Sequence, residues 1–256
     1  MSTFVFKIDH YVAKLFHNIY VWGGEFSNHV MEGISLLAEA GILFLIIGLG
    51  LSLFKRTRKI GGVVLISVAL GFLTTNIILK NMIERTRPFG DISSDFYKWW
   101  LDAGATHESG YSFPSGHTTA TTAFAIAIFL TTNKKYSWPI LSLPLLMASS
   151  RIYLMVHYFS DCVGAWIVGI VVAILAYIIV TLAYKSKLKF FVWIREFNII
   201  TPKQKIQIST ENVPQNKVED YVYTTQSEDQ TISNIEDNRL IQKEIATKEE
   251  NNTSDK

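Results

Sequence analysis

Apolar residues in this chain gather into long runs rather than alternating with polar ones. Residues 33–54 form a run of 22 with one charge, Glu39, and residues 60–79 a run of 20 with none. Residues 138–156 are apolar up to a late Ser149-Ser150-Arg151, and residues 162–184 form an uncharged run of 23. A fifth run, 118–132, has 15 residues. It gains the length to span if polar Ser115–His117 begins its first turn. About 20 apolar residues cross a bilayer core of about 30 Å as a helix. Only helices or closed barrels satisfy the backbone in lipid, and these runs lack barrel alternation. The pattern therefore predicts an all-α integral membrane helical bundle with about five transmembrane helices.

Both ends of the chain read differently. In 4–31, Phe4, Phe6, Tyr11, Leu15, Phe16 and Tyr20 interleave with Lys7, Asp9, His10 and Lys14. That mixture predicts an N-terminal interfacial amphipathic helix over 1–32, the alternative being a poorly hydrophobic extra span. Residues 33–185 then make the membrane domain and 186–200 an interfacial segment. Residues 201–256 carry seven basic and eleven acidic residues, a net charge of −4, in a Thr-, Asn-, Gln- and Glu-rich composition. Such a segment buries too little apolar surface to fold alone and reads as a disordered cytoplasmic tail.

Composition sharpens this division. The chain has 49% hydrophobic and 18% charged residues, with a mean hydropathy of +0.22, which disfavours an ordinary cytosolic protein. Cys162 is the only cysteine, so an internal disulfide or a cysteine-based zinc cluster is excluded. Basic residues cluster at 55–59, at Lys134-Lys135 and at 185–195. Five alternating spans put these on one side, which the positive-inside rule makes cytoplasmic. The loop 80–117 and the turn 157–161 then share the outer face of a plasma membrane. No nucleic-acid motif is present.

Three polar clusters converge on that outer face. The first runs from Lys80 to Arg87-Pro88, at the end of the second span. The second is Phe113-Pro114-Ser115-Gly116-His117, at the start of the third. The third is Ser150-Arg151 followed by His157 and Asp161, between the fourth and fifth. Lys80, Arg87 and Arg151 are fixed cations, and an arginine fork grips phosphate oxygens in two places. Ser115 and Gly116 precede a helix, whose N-terminal amides form an anion site that glycine lets a ligand approach. His117 and His157 have the ordinary pKa of a nucleophile or an acid–base group. Four residues after His157, Asp161 shares a helix face with it if both are helical, and can hold one ring nitrogen as donor.

Each cluster also has a plainer reading. Lys80, Arg85 and Arg87 could be span-end charges, and Pro-Ser-Gly-His an ordinary turn before a helix. His157 with Asp161 could be half a metal site, although three nearby cations would repel a divalent ion. Arg151 is harder to dismiss, because a charge so near an apolar span needs a partner. His10, His17, His29 and His107 have no evident companions, and Cys162 reads as a small packing residue.

Lys80…Arg87-Pro88, Pro114-Ser115-Gly116-His117 and Ser150-Arg151…His157…Asp161 together resemble the phosphatidic acid phosphatase type 2 superfamily of membrane lipid-phosphate phosphatases. Its motifs are Lys-x6-Arg-Pro, Pro-Ser-Gly-His and Ser-Arg-x5-His-x3-Asp, in that order. The resemblance covers roughly 33–185. Many relatives have six spans, and the pattern of runs predicts that this chain lacks the first. The resemblance implies His157 as nucleophile through a phosphohistidine, Asp161 as its orienting partner and His117 as the acid that protonates the leaving oxygen. It implies phosphate binding by Lys80, Arg87, Ser115, Gly116 and Arg151, with no metal and no cofactor. The expected substrate is a membrane lipid phosphate or diphosphate in a bacterial membrane, with undecaprenyl diphosphate favoured by analogy. Phosphatidylglycerophosphate and phosphatidate are the alternatives. A lipid phosphotransferase and a non-catalytic phospholipid-binding membrane protein are the competing classes. Soluble vanadium haloperoxidases share the motifs, but the spans argue against that class.

Overall fold

The computed structural model describes residues 3–36 and 41–187, and every regular element among the described residues is helical. Helix α1 is Thr3–Leu36 with a kink at Gly24, and α2 is Ile42–Leu53. Helix α3, Arg58–Phe72, continues through a π-helical Leu73–Leu79 and a last α-turn, Lys80–Ile83. Helix α4 is Asp95–Asp102 in the long loop, α5 is Gly116–Thr131, α6 is Leu143–Tyr153 and α7 is Phe159–Lys185.

Helices α3, α5 and α7 pack against one another at the centre, with α2 against α3 and α6 against α5. Glycines allow the closest approaches. A methyl group on Gly61 of α3 would stand 2.4 Å from the Gly48 carbonyl oxygen of α2, and one on Gly169 of α7 would stand 2.5 Å from Cβ of Thr122. Small residues bring helix backbones together where lipid offers little hydrophobic drive. In α5, Thr119, Thr121 and Thr122 return their hydroxyls to carbonyls one turn back, at 2.9, 2.8 and 2.6 Å. These three hydroxyls are thus each given an acceptor inside the bundle. Arg58 folds back onto the Ser52 and Leu53 carbonyls at the end of α2.

The outward faces are greasy. Ile42, Ile46 and Leu49 of α2, Ile77 and Ile78 of α3, and Ile167, Ile174 and Leu182 of α7 are exposed. Such a surface suits lipid rather than water. The runs Arg58–Gly90 and Phe159–Lys185 are each long and apolar enough to cross a bilayer.

Two expected spans differ from the observed helices. The run 33–54 is not one helix: residues 33–36 end α1 and only twelve residues form α2. Hydropathy registers an apolar stretch but not the left-handed Gly41, φ 73°, at which α2 begins. Glu39 and the expected segments beyond residue 187 lie outside the described residues. The fourth run stops being α-helical at Tyr153. Residues 154–158 form a turn in which Met155 takes a left-handed φ of 53°, a conformation uncommon for a side chain of this size.

Helix α1 runs along α6 and reaches α7 and α4. His10 and His17 do have companions. They meet Asp95 at 3.3 Å and Asp102 at 2.9 Å, one heptad apart on each helix. Trp99 sits between, 5.2 Å from both imidazole rings.

Candidate active site

A cavity of about 510 Å³ opens at the end of α3 and the start of α5. Its polar wall includes Asn76, Lys80, Glu108, His117, Arg151 and His157, and its apolar wall Leu36, Val68, Phe72 and Ala120. Lys80, His117 and Arg151 come from helix ends, Asn76 from within the π segment, and Glu108 and His157 from the loops between helices. The π segment of α3 carries Asn76 and delivers Lys80; such wide turns recur at functional sites. Glu84 then takes a left-handed φ of 49° and stops the helix, so the chain turns towards Arg87.

Arg87 is buried. It donates to the carbonyls of Gly110 at 3.0 Å, Ser109 at 2.8 Å and Val156 at 3.0 Å, and its Nη1 lies 3.4 Å from Nε2 of His157. Arg151, in the last turn of α6, is 1% exposed. It donates to the hydroxyl of Ser35 and to the carboxylate of Glu108. Glu108 also stands 3.6 Å from Arg87. One carboxylate therefore touches both guanidinium groups. Burial opposes ionisation of Glu108, but Arg151, His117 and Arg87 outweigh it and hold its carboxyl below the usual range.

Gly116 begins α5 and Ser115 caps it, its hydroxyl accepting the Thr118 amide at 3.5 Å. A side chain on Gly116 would press on Asn76, 3.3 Å away. Ser115 is completely buried. Its hydroxyl serves the helix end, and Ser115 is not among the residues lining the cavity, whereas Gly116 is.

His157 is not helical, contrary to the expected shared helix face. It sits in the 154–158 turn, its amide directed at the Arg151 carbonyl at 3.4 Å. Asp161 is the third residue of α7 and reaches back to the Tyr158 amide at 2.9 Å, half of a capping box. Helix capping, not helix periodicity, brings the carboxylate beneath the imidazole. Oδ2 of Asp161 lies 3.6 Å from Nδ1 of His157. That is an ion-pair distance but too long for a hydrogen bond, and Nδ1 has no hydrogen-bond partner. Asp161 accepts from Ser112 and Arg85 instead.

The structure thus brings Lys80, Gly116, His117, Arg151 and His157 to one cavity, with Arg87 beside Nε2 of His157 and Asp161 beside its Nδ1. Sequence reasoning missed Asn76, Glu108 and Ser112, and treated Arg85 only as a span-end charge. No spacing rule marks Glu108, a lone acid in a polar loop; its partners are 43 and 21 residues away. No group of three or more His, Cys, Asp or Glu side chains among the described residues is arranged to hold a metal.

Fixed cations around paired histidines, set in an apolar helix bundle, define a membrane protein that handles an anionic phosphate. Residues 60–185 match the PAP2 superfamily. Phosphatidylglycerophosphatase B of Bacillus subtilis is 32% identical over 156 residues, spanning 56% of this chain and 70% of that protein. An undecaprenyl-diphosphatase of Sulfolobus acidocaldarius is 32% identical over 121 residues, 46% of this chain and 54% of that one. The crystal structure of a transmembrane PAP2-type phosphatidylglycerolphosphate phosphatase from Bacillus subtilis superposes with a TM-score of 0.53 at 27% identity, covering 74% of this chain and 90% of that one. The chain belongs to the PAP2 superfamily and is a lipid-phosphate phosphatase.

Burial lowers the pKa of His157 to about 4, with Arg87 acting in the same direction against Asp161. The ring is therefore neutral at physiological pH, with a lone pair available. Nitrogen NMR of histidine-labelled protein in detergent should show His157 neutral at pH 6 and charging only as pH falls through about 4. A protonated His157 at pH 6 contradicts this electrostatic account.

Proposed function

We propose that the chain hydrolyses a lipid phosphate or diphosphate through a phosphohistidine on His157, without a metal. The observation that carries this reading is the single cavity lined by Lys80, His117, Arg151 and His157, with Arg87 beside the His157 ring. His157 attacks phosphorus with Nε2 while Asp161 supports the Nδ1 proton. The bond from that phosphorus to the leaving oxygen breaks, releasing the lipid alcohol from a monophosphate or the lipid monophosphate from a diphosphate, and His117 gives its proton to that oxygen. Water then attacks the phosphohistidine, His117 takes a proton from it, and inorganic phosphate departs. Lys80, Arg87 and Arg151 balance the charge on the equatorial oxygens, which is most of what phosphoryl transfer requires. The Gly116 amide at the α5 N-terminus adds a donor; Ser115 contributes by holding that helix end.

Leu36, Val68, Phe72 and Ala120 give the lipid chain an apolar path from this headgroup site. Polyprenyl diphosphate remains the favoured substrate, supported by relatives named for undecaprenyl diphosphate. Phosphatidylglycerophosphate is the second reading, supported by the relative and the solved structure named for it. A panel of both lipids on the purified enzyme ranks them. In the same proposal 33–185 is the membrane domain, crossing in about five spans. Residues 1–32 lie at the interface, and 186–200 and 201–256 are the cytoplasmic interfacial segment and tail.

His157→Ala should abolish turnover and the phosphoenzyme while the protein still inserts. His117→Ala should lose about 100-fold or more on lipid substrate and recover in part with a good leaving group, which needs no proton. Full activity in purified His157→Ala overturns the assignment.

The site is further proposed to face outward, on the evidence of basic loops kept inside. In a Cys162→Ala background, a cysteine replacing exposed Ser93 should react with an impermeant maleimide in intact cells. One replacing exposed Asn133 should not. The reverse labelling places the reaction in the cytoplasm.

A further inference from the structure

The polar network behind the catalytic pair continues past Asp161 into the N-terminal helix. Arg85 donates through Nη1 to Oδ1 of Asp161 and through Nη2 to Oδ2 of Asp9, at 2.8 Å. Asp9, in the second turn of α1, is 0% exposed. Its other contacts also lead to the site: it accepts the Ser160 amide at 2.8 Å and the Ser160 hydroxyl at 2.7 Å. Arg85 Nη1 reaches the same hydroxyl at 2.7 Å. The guanidinium carbon lies 3.9 Å from the centre of the Tyr158 ring, and the Arg85 carbonyl accepts the Ser112 amide at 2.8 Å. Ser112 in turn donates its hydroxyl to Oδ2 of Asp161.

One cation thus stands between two buried carboxylates, on the side of Asp161 away from His157. An arginine paired with Asp161 alone would draw that carboxylate towards itself and neutralise it. With Asp9 on its second nitrogen, the guanidinium is shared and held in one plane, and the trio keeps a net charge of −1. Oδ2 is left facing Nδ1 of His157, which has no other partner. We infer that Asp9 and Arg85 are positioning residues for His157, acting through Asp161, so that a side chain of the N-terminal helix helps to set the catalytic geometry. The inference rests on His157 being the nucleophile. A purely architectural pair would tie α1 to the bundle, but would not need to share its cation with Asp161.

The test is a double-mutant cycle on the full chain in detergent. Asp9→Asn, Arg85→Gln and the double variant are compared with wild type by rapid-quench trapping of the phosphoenzyme with radiolabelled lipid phosphate. Asp9→Asn should slow phosphoenzyme formation and kcat by about 10-fold or more, the scale of a small misplacement at a reacting centre, with KM within about two-fold. The double variant should be no slower than Arg85→Gln, because the inferred role of Asp9 is to hold the guanidinium that Asp161 shares. If Asp9→Asn does not insert, Arg85→Lys carries the test. It keeps the charge but lacks the fork, and should lower kcat with KM unchanged. Wild-type kcat in a folded Asp9→Asn or, failing that, Arg85→Lys protein overturns the inference, as do losses that multiply across the cycle. A wild-type enzyme that turns over without any phosphoenzyme overturns the nucleophile assignment, and this role with it. A normal wild-type phosphoenzyme with undisturbed variants overturns the positioning role alone.

Discussion

Charges buried in an apolar bundle must be paired, and most of this site follows from that constraint. Breaking a buried ion pair by removing one partner costs about 3–5 kcal/mol, whereas a surface pair contributes about 0–1 kcal/mol. Arg151 and Arg87 can stay buried only because Glu108, Ser35 and a set of loop carbonyls receive their hydrogen bonds. Arg85 is held between Asp9 and Asp161 in the same way. The loop 103–115 is therefore not a free connection. It supplies Ser109, Gly110 and Ser112 as partners for charges that the spans could not otherwise carry.

The second organising feature is that the chemistry sits on helix ends. Lys80 lies at the end of α3, Arg151 in the last turn of α6, Gly116 and His117 in the first turn of α5, and Asp161 in the first turn of α7. Helix ends are where backbone groups remain available to a ligand. An acidic residue in a first turn and a basic one in a last turn also oppose the helix dipole favourably. The Asp161 carboxylate both caps α7 and stands beneath His157, so the contact that stabilises the helix end also sets the carboxylate beside the imidazole.

Much of this was legible in the sequence, for reasons that differ by residue. The apolar runs 60–79 and 162–184 mark α3 and α7 because lipid demands long uninterrupted helices. Lys80, Gly116, His117, Arg151 and His157 could be grouped because their motifs fall at the ends of the apolar runs. Local pattern failed where tertiary pairing decides. The left-handed Gly41 that opens α2 lies inside a largely apolar run. Glu108 and Asp9 find their arginine partners across 43 and 76 residues, and no helical or strand period extends that far.

The central claim is that this cavity receives a phosphoryl group in line with His157. A crystal structure with bound orthovanadate tests it most directly, since five-coordinate vanadate resembles phosphorus in transfer. Vanadium should lie in line with Nε2 of His157, its equatorial oxygens within hydrogen-bond distance of Lys80, Arg87 and Arg151, and Glu108 moved off the arginines. Vanadate bound elsewhere, or bound here without approaching His157, would contradict the account.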